Sequence, residues 1–423
     1  MAKGKSVAFN VLIILGMFAL SGALIGLVPL VRSSKPTMPA ESPEIAAKRH
    51  APDNAYFVLI EAVEALPKTP SPVSVPDIEV PKAMVKYRPE KDSLGEILGI
   101  GRPDDDPELV QYLRDCDKAI AKTREALGRP YFLMPVGAPQ GIIRLGNVFT
   151  ARGVQSLRAG DEAGGWVWMR DTARLGLLIQ GQRECTDVAN KILYRVTHYL
   201  KKVAQSTSSA ALEEISADIL EFHSELKPPT GDLEFTLRQI DQGAFPFMRI
   251  PRGGLQRIAA TAERSLRLRV MKSWARRNLD GLLRSLEIPF PEAMAWWEQA
   301  VQRPGFGSSA IDLLTRVRSL VDSRASLETE FRGVILVVAL ERFRRAHSAY
   351  PEALDALAPE TLAAVPEDPF SGHPFVYKRV GEDYVLYSVG RNQKDDGGVS
   401  VPQERPYRGS DDMSIHSPRT GTG

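Results

Sequence analysis

A chain of 423 residues with 43% hydrophobic content holds enough apolar material for two or three packed domains. A formal net charge of +2 gives no global field, so no nucleic-acid partner is expected and any electrostatic partner needs a local patch. Two cysteines, Cys116 and Cys185, exclude a disulfide framework or a four-cysteine zinc site and leave either one bridge or two buried thiols.

The run from Val7 to Val31 carries no charged residue. As a helix it would extend about 37 Å, more than the ~30 Å hydrocarbon core requires. It is longer than the apolar region of a signal peptide and meets Arg32 without a small-x-small site, so residues 1–32 read as an uncleaved transmembrane anchor. Lys3 and Lys5 before the span nearly balance Arg32 and Lys35 after it. The short N-terminal flank favours a cytoplasmic start, which places a single-pass protein in the cell inner membrane with its bulk exported to the periplasmic side.

Residues 33–52, rich in Pro, Ser and Ala, read as a linker. A helical domain over 53–325 follows. Asp53 or Asn54 is placed to cap a helix carrying Tyr56, Leu59, Ile60, Val63 and Leu66, and the segment 67–89, with a Pro every few residues, reads as extended. Asp106 and Pro107 open a helix that runs to Gly128, and the preceding Asp104 and Asp105 belong to its capping turn rather than to a metal cluster. Two helices joined near Gly160 and Asp161 come next, the second with Trp166, Met169, Ala173 and Leu177 along one side. Further helices are expected at 184–204, 209–226, 232–242, 255–286, 291–302 and 309–324. Their paired character is like a degenerate tetratricopeptide (TPR-like) array, but no steady period appears and an irregular multi-helix domain is the primary expectation.

A small α+β domain over 326–400 opens with a helix whose centre, Val334 to Leu340, is apolar on every face and therefore buried. A short helix is expected at 352–358. Phe375–Val380 and Tyr384–Val389 read as an antiparallel hairpin around Gly381, Glu382 and Asp383. Residues 401–423 read as a polar, disordered tail. The fold class is thus mainly α, with a membrane helix at one end and a small hairpin domain at the other.

From Leu327 to Gly398 the order is helix, R-x-x-x-x-Y-P-E-x-L, V-P-x-D-P-F-x-G-x-P-x-x-Y and L-Y-S-V-G-x-N-x-x-D-D-G-G. This stretch resembles the globular end of the major pseudopilin of type II secretion systems, the protein G family. The resemblance implies a helix packed on a small antiparallel sheet and a calcium ion pinning the last loop. The matching ligand positions are the Leu386 carbonyl, Ser388, Asp395 or Asp396, and then Asp411 and Asp412. Carboxylates, a hydroxyl and a carbonyl suit a hard cation; a plain solvated turn fits the same Asp-Asp-Gly-Gly run. The N-terminus departs from the family pattern: Ser6-Val7-Ala8-Phe9-Asn10 is no Gly-Phe junction, the span holds no Glu, and a long helical region separates span from domain. An ordinary filament subunit is not expected.

The six histidines form no metal spacing, and His198 reads as a satisfied helix residue. No nucleophile elbow or phosphate-binding loop is present, so no enzymatic activity is expected. The basic run Arg257, Arg264, Arg267, Arg269, Lys272, Arg276, Arg277 and Arg284 reads as a solvated face before a lipid-binding or acidic-partner surface. The sequence points to a membrane-anchored, non-enzymatic envelope protein with an assembly or interaction role, its partners drawn from secretion or pilus-like machinery. A TPR-like protein-binding scaffold is the alternative, and an envelope hydrolase the third reading.

Overall fold

The computed structural model describes residues 41–67, 73–75, 78–80, 107–135, 141–182, 184–242, 267–302, 308–398 and 412–418. The expected membrane span, the capping turn at 104–106 and Asp411 lie outside them. Among the described residues no helix is long and apolar enough to cross a membrane.

The expected linker contains a helix, α1 (Pro43–Arg49). Its start, Ser42-Pro43-Glu44, joins a cap, a first-turn Pro and an acid, and the Ser42 hydroxyl accepts the Ile45 N–H at 3.2 Å. In α2 (Ala55–Glu64) Asn54 is the cap, its Oδ1 accepting from Tyr56 N at 3.1 Å and from Leu133 N at 2.9 Å. The Pro-rich segment holds a short antiparallel pair, β1 (Val73–Val75) and β2 (Ile78–Val80).

The helix expected from Asp106 to Gly128 is two, α3 (Pro107–Asp115) and α4 (Asp117–Leu127). At the break, Cys116 N bonds Leu113 O at 3.2 Å, and an Arg152 guanidinium takes the same carbonyl at 2.9 Å. This distant side chain competes for a helical acceptor, so the break has no local signal. Next come α5 (Ile142–Arg158) and α6 (Glu162–Ile179), turned at Gly160 and capped by Asp161 on Gly164 N at 2.9 Å. Trp166, Met169, Ala173 and Leu177 are all buried, as their spacing implies. After α7 (Thr186–Val203), α8 (Ser209–Ser224) and α9 (Thr230–Gln242), a helical stretch at 267–277 precedes α10 (Leu279–Arg284) and α11 (Phe290–Val301). Helix α5 packs on α6, α6 on α7, and α8 returns to α6.

One 40-residue helix, α12 (Ser308–His347), replaces the two expected at 309–324 and from Leu327 onward. The 325/326 boundary falls inside it. No Pro or Gly interrupts it before Gly333, and its polar junction residues turn back on the helix: Ser326 Oγ to Asp322 O and Thr329 Oγ1 to Ala325 O, each 2.8 Å. Its first half contributes Leu313, Val317, Leu320, Val321 and Ala325 to a core with Leu233, Trp274, Phe290 and Trp297. Its second half, with Phe331 and Val334–Leu340, lies in a larger core shared with α2, α4–α8 and the sheet. The continuous apolar surface of 334–340 is explained by this placement: α7 and α8 lie against it, and so do β4 and β5.

A 3-10 turn (Leu354–Leu357) stands where a short helix was expected. The antiparallel sheet runs β3 (Val376–Val380), β4 (Asp383–Ser388), β5 (Met413–His416) in that order. The β3–β4 loop is two residues rather than three, since Val380 pairs with Asp383; Gly381 takes φ 62°, as the first position of a tight hairpin turn requires. Strand β5 comes from the segment expected to be a disordered tail. Met413-Ser414-Ile415-His416 alternates in polarity, and Ile415 is buried directly over Gly333 of α12.

Candidate functional site

The described residues matched to a calcium site lie on β4, in the loop that follows it and just before β5, where Ser388 pairs with Met413. Leu386 is buried in β4 opposite His416. Ser388, also buried, donates its hydroxyl to Asp368 Oδ1 at 2.8 Å, and Asp368 accepts the Phe370 N–H at 3.0 Å and the Val389 N–H at 3.1 Å. Burial raises the Asp368 pKa, against the lowering effect of these bonds. Asp395, Asp396 and Asp412 are joined through the hydrogen bonds of the loop after β4. Asp412 accepts the N–H groups of Asp396 at 3.1 Å and Gly398 at 2.8 Å; Asp395 accepts the Tyr387 hydroxyl at 2.8 Å and the Gly397 N–H at 2.9 Å; Asp396 accepts the Asn392 amide at 2.8 Å. Burial raises the Asp412 pKa, and the charges of Asp396 and Asp395 add to the rise. These carboxylates are occupied in folding the loop's own N–H groups. Among the described residues no three His, Cys, Asp or Glu side chains are grouped to hold a metal.

Other features singled out in the sequence have structural employment. Cys116 and Cys185 are separate buried thiols; burial pushes the Cys116 pKa up to about 11. His198 Nδ1 meets Tyr194 O at 2.7 Å on its own helix. Within the basic run, Lys272 is not on a solvated face: it is buried, with its ammonium on Asp241 O at 2.8 Å. Arg257 and Arg264 lie outside the described residues. Two buried carboxylates on α12 have dedicated partners. Glu330 takes Lys201 of α7 at 2.7 Å; burial would raise its pKa, but Lys201 and then His198 hold it below the ordinary value. Glu341 accepts two bonds from Arg344, at 3.1 and 2.9 Å, and the Tyr350 hydroxyl.

One cleft stands where the two cores meet. The start of α7, the α8–α9 connection and the middle of α12 enclose about 320 Å³, lined by Thr186, Asn190, Pro228, Arg324, Leu327 and Glu328 among others. Its frame is fixed by polar bonds. Asp232 caps α7 by accepting the N–H groups of Glu184 at 2.7 Å and Thr186 at 3.3 Å, together with the Thr186 hydroxyl. Gln180 Oε1 accepts the Lys227 N–H at 2.9 Å. Arg324 donates to Leu286 O at 2.7 Å, to Ile288 O at 3.0 Å and to Glu328 at 2.8 Å, which ties α12 to the loop after α10. Asn190 differs from these neighbours. It is only 6% exposed and its side-chain oxygen has no hydrogen-bond partner. It sits one turn after Thr186 on a face that continues through Leu193 and Thr197. A polar residue on that buried stripe was the readable signal, and the sequence reading missed it. Comparison of the chain with protein-family models, curated proteins and solved structures found no match.

Proposed function

We propose that this chain is a membrane-anchored, non-enzymatic envelope protein with an assembly or interaction role, its helical body and sheet cap serving as one rigid platform. The observation that carries this reading is α12, which belongs to both cores and so leaves no hinge between body and cap. The uncharged run from Val7 to Val31 supports the anchor. A helix packed on a three-stranded antiparallel sheet agrees with the pseudopilin resemblance, and components of secretion or pilus-like machinery are the partners that resemblance favours. Fold analogy alone does not assign a role. A test in cells is therefore needed.

Membranes from cells making the full chain are floated and washed with alkaline carbonate, and a photocrosslinker is placed at Val380, an exposed apolar position on the cap (44% exposed). The chain is expected to float, to resist the wash and to give a discrete adduct with an envelope component. Recovery in the soluble fraction without an adduct would sink the proposal. The second reading, a TPR-like protein-binding scaffold, is favoured by the sequential packing of α5, α6 and α7. It predicts adducts from the helical face and none from the cap.

A further inference from the structure

We propose that the outer edge of β3 is a docking strand for an extended acidic segment of a partner protein, added antiparallel to the sheet with a carboxylate opposite Lys378. This inference rests on the interaction reading above and names the part of the cap that makes the contact. In the order β3-β4-β5, β3 has a strand on one side only. Gly381 and Glu382 form a two-residue turn between the paired Val380 and Asp383, so Val376, Lys378 and Val380 turn their main-chain groups to β4. The N–H and C=O of Tyr377 and of Arg379 then point out of the sheet, and among the described residues nothing bonds them. Donor and acceptor side by side, repeated about 7 Å along a strand, are the complement of another extended backbone.

The two edges of the sheet differ. Strand β5 has four residues, and its pairing with β4 is irregular between Leu386 and Tyr387, which blunts it as a template. Strand β3 keeps five residues in unbroken register and is held from behind. Tyr377 packs on the larger core with its hydroxyl on Pro351 O at 2.7 Å, and Arg379 meets Glu352 at 2.6 Å. The shape of this edge is set before a partner arrives, which limits the ordering cost at binding. Alternation puts Val376, Lys378 and Val380 on the opposite side from Tyr377, and Lys378 and Val380 are exposed. Arg379 has Glu352, but Lys378 lies across from Val385 and has no carboxylate partner among the described residues. In an added strand the residue opposite Lys378 belongs to a non-hydrogen-bonded pair, where side chains come closest, so an acid gains most there. Val376 and Val380 favour an apolar residue two positions to either side of that acid. A second copy of this chain fits less well, since full-length β3–β3 pairing sets Lys378 against Lys378.

The probe is the fluorescein-labelled heptapeptide Thr-Val-Thr-Glu-Thr-Val-Thr, added to detergent-solubilised full chain and read by anisotropy and by amide hydrogen exchange. In the free chain the Tyr377 and Arg379 amides should exchange faster than those of Lys378 and Val380, and millimolar peptide should slow the first pair at least about tenfold. Exchanging the peptide's Glu for Lys should weaken binding several-fold, and Lys378→Glu in the protein should reverse that preference. N-methylation of the Thr residues beside the Glu should abolish binding, whereas N-methylation of the Val residues should not, because only the former turn their N–H to β3. Arg379→Pro removes an outward N–H and spares the ladder to β4, so it should weaken binding several-fold and leave the melting temperature nearly unchanged. Slow exchange of Tyr377 and Arg379 in the free chain would overturn the assignment, as would no binding, or binding indifferent to the Glu and to N-methylation. A dimer that Arg379→Pro disperses would also overturn it, by giving the edge to a second copy. The two proposals fail separately: flotation with a Val380 adduct that persists in Arg379→Pro removes the strand and keeps the interaction reading, while edge-specific peptide binding by a chain that stays soluble removes the anchor and keeps the strand.

Discussion

The two halves of α12 have the same backbone and opposite surroundings. The first half is one-sided, with Leu313, Val317, Leu320 and Val321 buried and Thr315, Arg316, Arg318 and Ser319 exposed. In the second half no residue from Leu327 to Arg345 is exposed. An amphipathic helix hands its polar groups to water. An enclosed helix must satisfy each of them inside the protein, so Glu330 has Lys201, and Glu341 has Arg344 and Tyr350. The comparison teaches that tolerance to substitution follows from enclosure, not from helical structure as such.

The largest expected effect tests this directly. Lys201→Met leaves Glu330 buried without its counter-charge and should cost about 3–5 kcal/mol in chemical denaturation. Arg318→Ala, on the open half, should stay within about 0.5 kcal/mol. Similar losses for the two would break the comparison. Next is steric enclosure. A Cβ at Gly333 would lie 2.7 Å from the Ile415 side chain, so Gly333→Ala should cost about 1–3 kcal/mol. Combining it with Ile415→Ala should give a loss smaller than the sum of the two; strict additivity would mean that β5 does not bear on α12.

Acid should act on the enclosed side as well. Burial lowers the pKa of His198, with Lys201 adding to it, and burial also lowers that of His223, with Arg332 adding. Each histidine then binds its proton more readily in the unfolded chain. Stability is full above the ordinary histidine pKa near 6.5 and declines as pH falls from there toward the lowered folded values. Denaturation series across that window should show the decline, and His198→Gln with His223→Gln should flatten it. The smallest effect is expected for calcium. Adding it to the full chain should leave the melting temperature unmoved, because Asp395, Asp396 and Asp412 already accept loop N–H groups. A rise that disappears in Asp395→Ala with Asp396→Ala would return the ion to this loop.

Much of the fold was legible because its signals are local. Asp161 after Gly160, Asn54 before Ala55 and the all-round apolar run at 334–340 each state their structure within a few residues. What was not legible depends on distant partners. The break at Cys116 is bound up with Arg152, and β5 is four residues whose only local sign is an alternation completed by Gly333. The site was harder still. Motif matching led to Ser388 and the Asp-Asp-Gly-Gly loop, yet Ser388 is engaged with Asp368, which lay in the same motif unremarked. Asn190 showed as a polar residue on a buried stripe, but its surroundings are set by where the α8–α9 connection and α12 come to rest.

A helix with a stake in both cores also fixes how the molecule comes apart. If the smaller core opens, the first half of α12 loses the packing that keeps it ordered; if the larger core opens, the second half does. Neither core then has a melting transition of its own. Heat absorption should follow one peak whose calorimetric and van't Hoff enthalpies agree, and the slowest amide exchange at Leu313 and Leu336 should report the same opening free energy.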